Sequence, residues 1–362
     1  MMHLGVSLSP FGLHPAAWRE KGATSRALEA GNLVAQAQKA QDGALDFVLI
    51  PDAQAHRPRT GLTPQTVPFD PTILVAALAT RIKRIGFVAT AANGQHELYN
   101  LARRFASLDL ISRGRAGWNL VASGPTPAWN TEYVDVVSAL WESWDEDAFV
   151  YYKAAGRFFV PEKMHVLDHR GEHFTVRGPL NVNPSPQGKP IIVQTLTAEA
   201  IPIAAHAADV LLATGASHEE NSAGAVEAQR LLDAEGRKGS EVRLLANIIP
   251  WIGATRAEAR DRFEALNALS PASAQTPQGR DVMGPQGRDV IGTAADIADG
   301  LQESFERGGY DGFMILPPIA PDGLDAFVDR VVPELRRRGL FRAQYEGSTL
   351  REHLALDRPK RP

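Results

Sequence analysis

Few side chains in this sequence have the spacing of a self-sufficient catalytic device. The run His169-Arg170-Gly171-Glu172-His173 matches H-x-x-E-H, where two histidines one helical turn apart hold zinc and the glutamate acts as base. Gly171 interrupts the motif and the following His173-Phe174-Thr175-Val176 has strand character. The spacing therefore predicts a hydrogen-bonded loop here and no metal site. Phosphate loops of the GxxxxGK[ST] type are absent, and so is a GxGxxG between a strand and a helix; Gly86–Gly94 follows a strand with the wrong glycine spacing. A G-x-S-x-G elbow is also missing, which leaves serine hydrolysis unsupported. With no cysteine, thiol nucleophiles, disulfides, iron–sulfur clusters and thiolate metal sites are excluded together.

The elements that would position any remaining chemistry alternate. Apolar strand candidates fall at 4–9, 47–51, 84–90, 114–123, 191–194, 210–214, 244–251 and 313–316. Several are apolar without a break, as strands covered by helices on both faces must be. Helix-period stretches lie at 27–41, 71–80, 99–111, 131–144, 198–207, 218–235, 256–269, 293–307 and 322–337. Asp70 before Pro71 reads as an N-cap, and Thr255 with Glu258 has the spacing of a capping box. Eight such repeats predict an α/β fold, a (β/α)₈ TIM barrel, with a doubly wound sheet as the alternative that counting leaves open.

The 362 residues fit two domains or one enlarged barrel. The spacing favours a single domain over 1–362, with an insertion between strands 4 and 5. That excursion covers 124–190 and contains His173–Val182, which reads as strand, turn and strand. Residues 270–290, where Pro-Gln-Gly-Arg-Asp-Val occurs twice, read as a mobile loop. Trp141 and Trp144, spaced i, i+3 on a helix, read as core or subunit contact. Arg336–Arg338 with Arg342 reads as a helix end whose cations complement the dipole. A net charge of −4 gives no pull toward nucleic acid or an anionic membrane. No apolar run approaches the ~20 residues of a bilayer span, and the N-terminus lacks the pattern of a secretory signal. A soluble, cytoplasmic protein is expected.

In a barrel, sites are built just beyond the C-terminal ends of the strands. The groups placed there are Asp52, Ala92, Asn93, Asn119–Ser123, Gln194–Thr197 and Thr214. The set is polar and, apart from Asp52, uncharged. It lacks the paired carboxylates of a glycosidase and the His/Asp cluster of a metallohydrolase. A site this poor in acids and bases suggests a cofactor that carries the hard chemistry.

The run Leu101–Ser123 (LARRFASLDLISRGRAGWNLVAS) closely resembles the signature of the bacterial-luciferase-like flavin-dependent monooxygenases. It is most similar to the branch of nitrilotriacetate monooxygenase, desulfurisation sulfone monooxygenase and pristinamycin synthase. Residues 12–19, 69–79, 168–194 and 309–356 resemble the same branch, in order along the chain. The resemblance implies a flavin pocket at the barrel mouth and reduced FMN (FMNH₂) supplied by a separate NAD(P)H:flavin reductase. It further implies O₂ and a small organic substrate, oxygenated through a flavin C4a-(hydro)peroxide, in a homo-oligomer, dimer or tetramer. Carried over position by position, the cofactor-binding residues are Asp52, Asn93, Asn119, Thr195 and Thr197. Asn93 stands where relatives carry a hydroxyl.

Departures from the family pattern concentrate on the FMN phosphate. Relatives read Gln-Ala-Gly-x-Ser-x-x-Gly after strand 5, whereas Leu196 and Ile201 replace the glycines here, Ala198 replaces the serine and Glu199 adds a charge. The segment after Ser123 is short and lacks the Arg-Tyr pair that relatives aim at the phosphate. Charge-assisted hydrogen bonds run at roughly 1.5–3 kcal/mol each. Losing two corresponds to about two or three orders of magnitude in affinity. A flavin-poor member acting as a binding or partner subunit, or a deazaflavin-dependent oxidoreductase, are the alternatives that these departures raise.

Overall fold

The computed structural model describes residues 1–52, 68–197, 200–215, 217–270 and 287–359. Eight parallel strands form the frame: β1 His3–Ser7, β2 Phe47–Ile50, β3 Gly86–Ala92, β4 Ala116–Val121, β5 Ile191–Thr195, β6 Val210–Ala213, β7 Arg243–Ile252 and β8 Gly312–Ile315. Each pairs with its neighbours, and β6–β7, β7–β8 and β8–β1 close the ring. This is the (β/α)₈ barrel that the alternation of elements predicts. The doubly wound alternative fails on closure. At the seam the backbones run so close that a Cβ on Gly312 would sit 1.9 Å from the His3 carbonyl oxygen, so only glycine fits.

The helices that cover the ring are α1 Ala30–Asp42, α2 Pro71–Arg81, α3 Leu98–Ser112, α4 Pro127–Trp141, α5 Ile201–Ala207, α6 His218–Ala234, α7 Arg256–Ala268 and α8 Ala294–Glu306. The Asp70 side chain accepts from the N–H groups of Thr72 and Ile73, as a cap must. Thr255 accepts from Glu258 N–H, but Glu258 reaches back to Ala254 N–H and leaves the reciprocal box unclosed. The last helical stretch breaks into Asp322–Ala326, a π segment Phe327–Val331 and Val332–Arg337. Pro333 lacks the N–H that an unbroken α-helix would use.

Three expectations need correction. Helix α4 begins at Pro127, capped by Thr126, and ends at Trp141. Trp144 lies beyond it, yet both indoles are buried, donating to Ala102 O and Leu180 O at 2.9 and 2.7 Å. Within 173–182 only Thr175–Val176 is a strand, and its partner is the upstream His169–Arg170. Downstream, the chain turns away through Gly178 and Pro179 with no second strand. Most of the expected loop at 270–290 lies outside the described residues, but its end, with the residues that follow, forms a strand, Arg288–Gly292, parallel to Ile248–Ile252. That strand exists because β7 projects past its neighbours and offers a free edge.

The excursion between β4 and β5 carries α4, an antiparallel pair Phe149–Tyr152 with Arg157–Phe159, and the hairpin at 169–176. The N-terminal end of the barrel is stoppered by the carboxy-terminal segment, whose Leu350, Leu354 and Leu356 join the interior cluster of Phe47, Val88 and Ile191. Buried charges tie this stopper down: Arg342 pairs with Asp46, which His3 and the Leu4 N–H also engage, and Arg351 donates to Asp209 at 2.9 Å. Arg336 bonds the carbonyls of Arg342 and Gly43, while Arg337 and Arg338 clasp Glu334. The basic cluster is thus a set of internal ties in addition to a dipole complement. No described helix is long and apolar enough to cross a membrane.

Burial opposes the charge on Asp46, but Arg342 and His3 win and hold its carboxyl at about 2. A depressed carboxylate contributes stability that is present above the unfolded value near ~4 and lost as pH falls through ~2. Asp46→Asn strands Arg342 in the interior and should cost about 3–5 kcal/mol at pH 7. Urea unfolding at pH 7, 4 and 2.5 checks this, with the gap to wild type narrowing toward the acid end.

Candidate active site

The stagger of a closed barrel shifts each strand by about one residue relative to the next, so side chains from alternate strands share a level. Following the register around the ring puts Gly5, Val88, Val193 and Leu245 on one level and Leu49, Asn119, Leu212 and Met314 on the next. The uppermost level, beneath the C-terminal mouth, is Ser7, Thr90, Thr195 and Asn247. Branched apolar residues dominate such layers in most barrels. Here the top layer is wholly polar, and Asn119 reaches up into it, donating to Thr90 Oγ1 at 2.9 Å.

The expected cofactor residues distribute around this floor. Thr195 belongs to it and is half-buried, whereas Asn119 lies one level below. Asp52 lies two residues past β2 and is half-buried; its charge acts on His96, whose pKa is nonetheless lowered by burial and by Arg104. Thr197 sits past β5, where its hydroxyl accepts from Ala200 N–H at 3.3 Å. Asn93 is fully buried and works inside the protein: its amide donates to Asn130 Oδ1 at 2.8 Å and its carbonyl accepts from Ser123 N–H at 2.9 Å. Asn130 accepts in turn from Gly124 N–H at 2.9 Å, and Ser123 Oγ from Gly94 N–H at 3.0 Å. The shortened segment after β4 is held by these bonds against the end of β3.

The region expected near a phosphate is closed on itself. Leu196 packs into the core, and its N–H bonds Leu212 O at 2.9 Å. The N–H groups of Ala200 and Ile201 both bond Thr197 O at 3.0 Å. Ala198 and Glu199 lie outside the described residues.

A satellite apolar cluster packs at the C-terminal end of β7. The projecting end of β7, the strand Arg288–Gly292 and α7 enclose Trp251 with Ala16, Ile249, Phe263, Leu266, Ile291 and Ile319. The His14 ring meets Trp251 edge-on at 5.6 Å. Ala16 N–H donates to His14 Nδ1, so the ring proton sits on Nε2, facing Asn267 Oδ1 at 3.4 Å. Burial lowers the His14 pKa against the pull of that bond, leaving a neutral imidazole at pH 7.

The H-x-x-E-H run forms a hairpin outside the mouth. Glu132 of α4 gathers it, bonding His169 Nε2 at 2.9 Å and accepting from the N–H groups of His173 and Phe174. Gly171 belongs there because a Cβ would lie 2.0 Å from a Glu132 oxygen. Among the described residues no cluster could hold a metal ion.

An uncharged polar floor beside an apolar cluster fits an enzyme whose reactivity is borrowed. The chain belongs to the luciferase-like monooxygenases: residues 13–312 match that family. It is 34% identical to N-acetyl-S-(2-succino)cysteine monooxygenase of Bacillus subtilis (strain 168), covering 98% of this chain and 97% of the relative. It is 32% identical to nitrilotriacetate monooxygenase component A of Aminobacter aminovorans, covering 99% and 97%. The crystal structure of riboflavin lyase (RcaE) with modified FMN and substrate riboflavin matches with a TM-score of 0.86 and 26% identity, over 98% of this chain and 95% of that one. The alignment to the Bacillus relative runs over 428 positions against the 362 residues here, so parts of that relative have no counterpart in this chain. The branch resemblance in the sequence is thus confirmed, and the chain is an oxidoreductase of the monooxygenase type.

The floor residues Ser7, Thr90 and Asn247 lie within their strands, below the strand ends where a barrel site is expected. A signal was present: Gly5-Val6-Ser7, Val88-Ala89-Thr90, Val193-Gln194-Thr195 and Leu245-Ala246-Asn247 each turn polar two residues after an inward apolar or glycine position. Asn93→Ala leaves Asn130 and the Ser123 N–H without their buried partner. It should destabilise by about 1–3 kcal/mol, read as a lower melting temperature, while Asn93→Asp recovers at most the Ser123 bond.

Proposed function

We propose that this chain is an FMNH₂-dependent monooxygenase that transfers one oxygen atom from O₂ to a small organic substrate. A separate NAD(P)H:flavin reductase would supply the reduced flavin, as the name component A of the Aminobacter relative suggests for a multi-part system. The observation that carries the reading is the polar top layer of the barrel, found in a chain of the luciferase-like monooxygenase family. A flavin ring has one edge of hydrogen-bonding groups and one apolar edge. The floor of hydroxyls and amides suits the first, and the Trp251 cluster suits an apolar body beside it.

The fit is divided. Asp52, Asn119, Thr195 and Thr197 would hold the ring and its side chain, with Asn93 acting through the loop it ties down. The phosphate end departs from the pattern of relatives: leucine and isoleucine occupy the glycine positions, and the N–H groups of Leu196, Ala200 and Ile201 are already committed. Bound reduced flavin supplies the reaction with O₂, which no side chain here can perform. The chain's own part is to orient the flavin, seat the substrate against the apolar cluster and keep water out. His14 and His96 stay neutral at pH 7, so neither adds a charge to the mouth.

Anaerobic titration with reduced FMN, and aerobic titration with FMN, test this directly. Binding of the reduced form is expected; silence toward both at ~1 mM ligand, an affinity worth only about 4 kcal/mol, would overturn the assignment. Because the phosphate end departs from that pattern, riboflavin should bind within about tenfold of FMN. A preference for FMN of a hundredfold or more would mean that an anchor exists elsewhere.

A further inference from the structure

We propose that the Ser7 hydroxyl is a flavin contact in the barrel floor, donating to or accepting from the polar edge of the ring system. This inference rests on the flavin reading above and adds a residue on β1, whereas the cofactor positions carried over from the family lie on or just after β2 to β5.

Ser7 is the last residue of β1 and 3% exposed, and its Oγ has no hydrogen-bond partner. A buried hydroxyl without a partner is unfavourable, so such groups in native proteins call for an explanation. Its lateral neighbours cannot supply one. On β2 it is in register with Leu49, and on β8 the pairing of Val6 with Ile315 sets Leu316 beside it. Beneath it, Gly5 is packed so tightly by Phe47 and Met314 that a Cβ would come within 2.6 and 2.8 Å of them. Ser9, two residues past the end of β1, turns its hydroxyl onto Gly12 O at 2.8 Å. The one direction left is the barrel axis.

On that axis Ser7 shares its level with Thr90, Thr195 and Asn247. Thr195 is one of the proposed cofactor positions, and Thr90 holds Asn119, another, at 2.9 Å. Side chains of one barrel layer converge, so a ligand edge that meets Thr195 and Asn119 from above also comes over Ser7. Isoalloxazine offers carbonyl oxygens and ring nitrogens along one edge, which match a hydroxyl able both to donate and to accept.

The test compares wild type, Ser7→Ala and the near-isosteric Ser7→Cys by thermal melting without flavin and by titration with FMN and with riboflavin. Ser7→Ala should melt at the same or a higher temperature, because it deletes an unsatisfied group, and should bind both flavins about five- to tenfold more weakly. Ser7→Cys should fall between. Equal losses for FMN and riboflavin place the contact on the ring and support the proposal. Unchanged affinity in Ser7→Ala, beside a wild type that binds, overturns it and leaves the flavin reading intact; so does a loss confined to FMN, or a lowered melting temperature with normal binding. A wild type that binds neither flavin overturns both.

Discussion

Closure of the ring is the constraint on which everything else depends. Eight short parallel strands close only with a fixed stagger, and the stagger sorts inward side chains into levels drawn from alternate strands. The seam between β1 and β8 requires Gly312, because no Cβ fits beside the His3 carbonyl. Once the ring closes, Ser7, Thr90, Thr195 and Asn247 meet, although 240 positions separate the first from the last in the chain. Two apolar levels, broken only by Asn119, lie below them, and the leucines of the carboxy-terminal stopper fill the far end.

The two ends of the barrel solve different electrostatic problems. At the N-terminal end, buried ion pairs such as Arg342–Asp46 and Arg351–Asp209 fix the stopper. Asp109 shows what happens without a close cation: burial pushes its carboxyl up to about 6, against hydrogen bonds from Ser185, Ala116 N–H and Gln187. In the floor beneath the mouth the groups are neutral and their hydrogen-bonding capacity is only partly used. Stability is concentrated at one end and the proposed recognition at the other, a division the fold allows because the strand ends that build the mouth are not needed for closure.

Much of the frame was legible in the primary sequence. Strand runs such as Phe47–Ile50 and Val210–Ala213 are apolar throughout because helices cover one face and the barrel interior the other, and that pattern survives without any structure. Caps at Asp70 and Thr255 mark helix starts by local bonding alone. The strand Arg288–Gly292 was not legible, because its five residues pair only along an edge that β7 exposes by outrunning its neighbours. The role of Asn93 was hidden for a similar reason. Its partners Asn130 and Ser123 come from a different loop and helix, and nothing local distinguishes an amide spent on a tie from one offered to a ligand.

By itself, then, the sequence determined the class of fold, the family and the absence of cysteine, of a phosphate-loop motif and of a G-x-S-x-G elbow, because these depend on residue type and local period. The tertiary structure alone decided which polar groups act together. Register converts positions far apart in the chain into one layer, and long-range pairing commits Asn93 to the frame while leaving Ser7 with an unused hydroxyl. A hydrogen bond depends on distance in space, and only ring closure sets that distance.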